Sequence, residues 1–295
     1  MPIEGFKDLP AHLEEWTYET VVNLVRKYEF EPGTFDYKST LKAVGAKANE
    51  YIGSICRTVC SMANTDGGFI LFGVQDRRVV VASPEVRIVG IPIGGDLLKE
   101  FGEKVQSVQP EVYFEAVPQV LQLPHDASKG ILVIRVPKSF RRPHMYLTTG
   151  AYYRRGDGGS AVTMTHYEVK EQMMYTEDRM KKVTLLRMEL AQYREVMMSL
   201  QHGGIPLPST PYRFDISAFK VLLADVCSLL PSDLLRDLLR VPLMAGMINN
   251  RLEAVVSRRE SASADGQNIY GELAEFYNFC GTCEEHLQNL FGSLF

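Results

Sequence analysis

The sequence predicts a mixed α/β sheet domain followed by an all-α helical region. Three observations carry this. From Cys60 to Asp76 an apolar helical pattern meets Asn64-Thr65-Asp66-Gly67-Gly68 and continues as a short apolar run, Phe69 to Val74. That is the pattern of a helix, a reversal and a buried strand, since Gly reaches positive φ without a Cβ clash. Short extended runs bounded by Gly and Pro recur from Phe35 to Arg155. Beyond residue 165 the spacing turns helical, with a Gly- and Pro-rich break at 203–211.

Taken in order, residues 1–30 read as a helical lead, with Leu13, Trp16, Val21, Leu24 and Val25 near helical spacing. Trp16, the only tryptophan, is expected to anchor this lead onto the domain. After turn chemistry at Glu31-Pro32-Gly33-Thr34, Phe35-Asp36-Tyr37-Lys38 reads as a short strand. Side chains alternate along a strand, so Phe35 and Tyr37 share one face and Asp36 and Lys38 the other. A helix from Lys47 to Ala63 carries Ala48, Ile52, Ile55, Val59 and Met62, and the strand to Val74 follows. Strands are expected at Val79–Ala82 and Ile88–Ile91, then a helix opened by Asp96 and running through Val108. Val112–Leu123 and Gly130–Val136 read as an antiparallel pair, and Leu147–Arg155 as a last extended stretch. Thr165-His166-Tyr167-Glu168 has the spacing of a capping box and starts a helix to about Gln201. Segments 215–230, 232–256 and 267–294 are helical in pattern. The division is thus 1–30, 31–165 and 166–295, the last suited to dimerisation or partner binding.

The chain has 295 residues, 45% of them apolar, enough for one large core or two moderate ones. A formal charge of −4 argues against a uniformly basic protein and leaves a local basic face open. No run of about 18 apolar residues is present, so no membrane span is expected. Met1 to Gly5 lacks the basic and apolar parts of a signal peptide, and five cysteines are an odd, sparse set. Together these predict a cytoplasmic protein. Cys280-Gly281-Thr282-Cys283 has CxxC spacing but no second pair or nearby histidines, and is read as two cysteines on a terminal helix. Cys56 and Cys60, four apart on the central helix, are read as core. No GxxxxGK[ST], GxSxG or HExxH occurs.

Two constellations could carry chemistry. Glu31, Asp36 and Asp76 flank elements that neighbour one another in the predicted fold. Clustered carboxylates repel unless a cation joins them, so such a set suits Mg²⁺ or Mn²⁺; acids in surface turns are the plain alternative. From Lys129 to Ser160 the chain holds seven Lys or Arg against one acid, Asp157. Lys138, Arg141, Arg142, Arg154 and Arg155 lie there with Tyr146, Tyr152 and Tyr153, a mixture suited to a nucleic-acid groove.

Phe35-Asp36-Tyr37-Lys38, then Ala63-Asn64-Thr65-Asp66-Gly67-Gly68, Gly73-Val74-Gln75-Asp76 and Tyr152-Tyr153-Arg154-Arg155-Gly156, resemble in order the motifs of the divergent Alba-type domain of the Schlafen family. The resemblance covers about residues 25–165. It implies nucleic-acid binding more firmly than cleavage. In the family's nucleases three acids cut tRNA or other RNA with a divalent metal, and the matching positions are Glu31, Asp36 and Asp76. Asp36 stands where the family has Glu, a shorter arm. Those vertebrate nucleases also carry two lobes, whereas this chain has one, so an equivalent cleft implies a homodimer. The resemblance thus favours RNA over DNA, with Lys38 contacting phosphate or neutralising the acids, and Lys138, Arg141, Arg142, Tyr152, Arg154 and Arg155 along the backbone. Two readings stand at this point: a metal-dependent endoribonuclease, and a non-catalytic DNA-binding regulator or oligomeric interaction protein.

Overall fold

The computed structural model describes residues 10, 12–27, 33–42, 45, 47–76, 83–202, 213–227, 230–257 and 264–291. The chain forms two compact units, 1–176 and 177–295. The first contains helix α1 (Tyr18–Lys27), strand β1 (Phe35–Lys38), helix α2 (Ala48–Asn64), strand β2 (Gly67–Phe72), strand β3 (Ile91–Pro92) and helix α3 (Leu97–Val105). Strands β4 (Val108–Gln109), β5 (Glu115–Ala116), β6 (Leu121–Leu123), β7 (Asp126–Pro137), β8 (Met145–Tyr146), β9 (Ala151–Arg155) and β10 (Ala161–Thr163) follow. Helix α4 (His166–His202) starts in this unit, and its capping box is formed: Glu168 N–H donates to Thr165 Oγ1 at 3.2 Å, and Thr165 N–H to Glu168 Oε2 at 2.7 Å.

The central sheet runs β1-β2-β7-β3, with β5 and β6 also paired to β7. β1 and β2 are parallel and joined through α2, while β2 and β7 are antiparallel. β2 is buried along its whole length, as expected of a strand covered on both faces. Its alternation sorts the core. Phe69 and Leu71 join Phe35, Tyr37, Ile131 and Val133 against α1, where the Trp16 ring centroid lies 4.9 Å from that of Phe69. Ile70 and Phe72 join Leu132, Ile134 and Val136 against α2 and α3. Asp36 and Lys38 therefore share the α2 side of β1, as alternation predicts.

A second antiparallel sheet, β10-β9-β8-β4, packs on α2 through Tyr146 and Tyr153. α2 is thus covered by two sheets, and its polar groups must find protein partners. Asn64 Nδ2 donates to the carbonyls of His144 and Tyr153, each at 2.9 Å. Its Oδ1 accepts from His144 N–H at 2.6 Å, and its own carbonyl accepts from Gln172 Nε2 at 2.9 Å. One asparagine joins α2, the segment before β8, β9 and α4. Cys56 and Cys60 are buried in this core, as expected, and burial pushes the Cys60 thiol up to about 12.

The second unit holds the later part of α4 with α5 (Ser217–Val226), α6 (Ser232–Ser257) and α7 (Ala264–Phe291). Their buried residues alternate in threes and fours: Val183, Leu186, Leu190, Tyr193 and Met197 on α4; Leu234, Leu238, Val241, Ala245, Ile248 and Leu252 on α6; Ile269, Leu273, Phe276, Cys280, Cys283 and Leu287 on α7. That is the spacing of helix-on-helix seams. Cys280 and Cys283 are seam residues, and burial pushes the Cys283 thiol up to about 12. Among the described residues no helix is long and apolar enough to cross a membrane.

Several local expectations are corrected. The stretch 112–123 is two strands, β5 and β6, because Pro118 between them cannot donate to the ladder. The helix after Asp96 stops at Val105, and Val108 is spent on pairing with Tyr146. Leu147–Gly150 is a turn, with Gly150 at φ 62°, so extended structure resumes only at β9. Val79–Ala82 and the break at 203–211 lie outside the described residues.

Two stability predictions follow from the junction of α2 and β2. Gly67 has φ +79°, and a Cβ there would lie 2.8 Å from Val136 O and Lys138 N; at Gly68 it would lie 2.6 Å from Thr34 O. Each alanine variant should lose more than about 1 kcal/mol in urea unfolding. Gly94→Ala, with nothing within 4 Å, should be near neutral; equal effects at all three sites would contradict the assignment. Asn64→Ala should cost about 1–3 kcal/mol, since it orphans buried backbone groups, and a wild-type midpoint would contradict the hub.

Candidate functional site

The α2 side of β1 meets helix α2 at a polar spot inside an apolar face. Asp36 is 5% exposed. Its Oδ2 accepts from Lys38 Nζ at 2.8 Å and from Thr58 Oγ1 at 2.5 Å, and Arg155 Nη1 lies 4.0 Å away. Burial alone would push this carboxyl up. The charges of Lys38 and Arg155, with hydrogen bonds from Lys38 and Thr58, outweigh burial and hold it below the usual carboxylate range. All three groups approach the same oxygen, which leaves Oδ1 outside the cluster.

These residues line a cleft of about 600 Å³ together with Tyr51, Ser54, Arg57, Asp76 and the turn Gly158–Ala161. Asp76 arrives there because β1 and β2 are parallel and in register, so both strands end together: Lys38 pairs with Phe72, and Gly73 N–H donates to Lys38 O at 2.7 Å. Asp36, Lys38 and Asp76 are thus brought to one cleft. Glu31 lies outside the described residues. Among the described residues no three His, Cys, Asp or Glu side chains form a group able to hold a metal ion. The two acids placed in the cleft, one with an oxygen already held by two cations and a hydroxyl, do not by themselves make a metal centre.

The basic residues divide. Arg155 donates from Nε to Gly33 O at 3.0 Å and from Nη2 to Phe35 O at 2.9 Å, and its side chain is buried. It is a strut between β9 and the start of β1. Lys138 extends past the end of β7 and pairs with exposed Asp66 at 2.8 Å. Arg141 stacks over Phe140, Arg142 over Tyr175 of α4, and Arg154 pairs with Glu168 of α4 at 2.7 Å. Tyr152 is half-buried on β9, with its carbonyl accepting from Met164 N–H at 2.9 Å.

The two constellations do not coincide. Pro137 pairs with Gly67 and Leu132 with Phe72, so the loop from Lys138 sits at the opposite end of β2 from Lys38 and Asp76. Six residues of strand separate the ends by about 20 Å. Sequence reasoning missed Tyr51, Ser54, Arg57 and Thr58. Their signal was present as polar residues at helical spacing on an otherwise apolar helix, visible only once β1 and α2 are known to face each other.

No curated protein matches the chain. Among solved structures, the DIP2311 protein from Corynebacterium diphtheriae is similar at 19% identity and a TM-score of 0.32, over 48% of this chain and 23% of that one. The match spans less than a quarter of that protein's length. The family model described as Schlafen, AlbA_2 matches residues 31–163, a segment that takes in β1 through β10. Residues 31–163 thus carry the match to the Schlafen, AlbA_2 family model, over the same stretch as the four motifs.

Proposed function

We propose that this domain binds nucleic acid by its phosphate backbone, RNA in preference to DNA. The rim cations carry the reading. Arg142 and Arg154 are both seated on the start of α4, at Tyr175 and Glu168, seven residues and about 10 Å apart along the helix. Lys138 and Arg141 extend the rim. Asp66 is exposed and Glu168 half-buried at the surface, and surface ion pairs are worth only about 0–1 kcal/mol, so phosphates can take these cations from their carboxylates at small cost. The family match is compatible with nucleic-acid binding. The preference for RNA rests on the resemblance to tRNA-cutting members. Lys138→Ala and Arg142→Ala should weaken binding for all sequences alike and lower the log–log salt slope by about 0.7–0.9 each. Wild-type protein without salt-sensitive binding to RNA or DNA would remove the reading.

A second reading, RNA cleavage with Mg²⁺ or Mn²⁺, is favoured by one observation: Asp36 and Asp76 share the cleft with Lys38. Wild-type protein that cuts tRNA with either metal, while Asp36→Asn and Asp76→Asn do not, would support it. An inert wild type leaves the binding module. Asp36→Asn also has a stability signature. Its depressed folded pKa stabilises the fold above the unfolded value of about 4, and this is lost as pH falls through the folded value. At pH 7 the variant should lose about 3–5 kcal/mol, because Lys38 and Arg155 are left without their counter-charge. The gap should close as pH falls below about 4; a gap independent of pH would contradict the charge cluster.

The helical unit is read as the self-association element. On α6, Leu239, Leu243 and Met247 recur every fourth residue and are 54%, 68% and 62% exposed, away from the seam used within the unit. Contiguous exposed apolar surface marks association sites. Light scattering at roughly tens of micromolar should show a dimer, and Leu243→Glu a monomer. A monomeric wild type would refute it.

A further inference from the structure

Arg57 is set apart from the other cations of the cleft. Lys38 and Arg155 are engaged with Asp36, whereas no hydrogen bond, ion pair or ring contact holds the Arg57 guanidinium among the described residues. It is half-buried on the face of α2 that also carries Ser54 and Thr58, beside the turn Gly158–Ala161. Arginine cannot shed its proton in a protein, so a part-desolvated guanidinium without a counter-charge is suited to an anion. The charged groups lining the cleft are Asp36, Asp76, Lys38, Arg57 and Arg155, a balance of one excess positive charge. With Asp36 matched by Lys38, the cleft is left with Arg57 and Arg155 against Asp76.

We propose that the cleft is a phosphate site for a single-stranded segment of nucleic acid, with Arg57 as the residue that takes the phosphodiester. This rests on the nucleic-acid-binding reading above and names the group and the strand form it receives. The fork of Arg57 matches two phosphate oxygens, and the hydroxyls of half-buried Ser54 and exposed Ser160 add donors on the same wall. A cleft of about 600 Å³ has the size of a small-ligand pocket, so one extended or splayed-out nucleotide enters it and a duplex does not. Position on α2 links the two ends of the domain. Arg57 lies seven residues, about 10 Å, before Asn64, and so between the rim cations and Asp76 along the helix axis. A strand held at the rim thereby has a next positive contact on the way into the cleft.

The test uses the full chain and a fluorescent single-stranded RNA of about twelve nucleotides, the same sequence as duplex, and a mononucleotide and inorganic phosphate as competitors. Arg57→Ala should weaken single-strand binding about ten-fold, lower the salt slope by about 0.7 and leave duplex binding unchanged. Arg57→Lys should keep the slope while losing part of the affinity, since it retains charge but not the fork. Thermal stability should be the same in both variants, because Arg57 holds nothing within the fold; a large loss would show a structural role and overturn the assignment. Strong competition by phosphate or mononucleotide, with no gain from a longer strand, would assign the cleft to a free phosphorylated ligand and overturn the single-strand claim. If Lys138→Ala and Arg142→Ala lose binding while Arg57→Ala does not, the cleft proposal fails and the rim reading stands. If none of them changes binding, both fail.

Discussion

Helix α2 is enclosed by two sheets, and most of what the first unit can do follows from that. A helix with one solvated face can place polar residues there freely; α2 has no such latitude along its second half, where every residue from Thr58 to Asn64 is buried. Each polar side chain it keeps must therefore be satisfied by protein. Ser61 Oγ bonds back to Thr58 O at 2.8 Å, Thr58 Oγ1 reaches Asp36, and Asn64 binds three neighbouring elements. The Asn-Thr-Asp-Gly-Gly reversal belongs to the same constraint. Asn64 fixes the helix end, and Gly67 and Gly68 let β2 start against Val136 and Thr34 backbone where a Cβ has no room.

The same enclosure explains why an acid, two bases and a hydroxyl gather at Asp36. A lone carboxylate on the α2 side of β1 would be desolvated with no return, and two cations with a hydroxyl offset that cost. Lys38 comes from the same strand two residues on, which alternation guarantees. Arg155 comes from the other sheet and ties it to the carbonyls of Gly33 and Phe35. The cluster thus links β1, α2 and β9 whether or not it takes part in chemistry.

Much of this was legible before any coordinates. The turn into β2, the alternation of Phe35 to Lys38, the Trp16 anchor and the Thr165–Glu168 cap are each set by local residue types acting through local geometry. What was not legible depends on pairings remote in sequence. Nothing near Arg155 shows that its guanidinium will be spent on carbonyls some 120 residues earlier, so its charge reads as available. Nothing near Lys138 shows that β7 runs against β2 and carries the basic loop away from Asp76. Arg57 was hidden for the opposite reason: in an apolar helical stripe one arginine reads as an ordinary solvated position, and only the placement of β1 and the turn Gly158–Ala161 makes it a wall of a cleft.

Charge in this domain is therefore sorted by engagement rather than by sequence density. Arg155 and Lys38 are engaged within the fold, and their removal should be felt first as stability. Lys138 and Arg154 carry surface acidic partners, Asp66 exposed and Glu168 half-buried, that a polyanion can replace, so their contribution depends on salt. Arg57 is engaged by nothing among the described residues and is partly withdrawn from water, so a phosphate it takes displaces no carboxylate. A ligand that meets the rim first and Arg57 second would pass from cations that must exchange a carboxylate to one that need not. That ordering lets a domain in a chain of net charge −4 hold a polyanion without a uniformly basic surface.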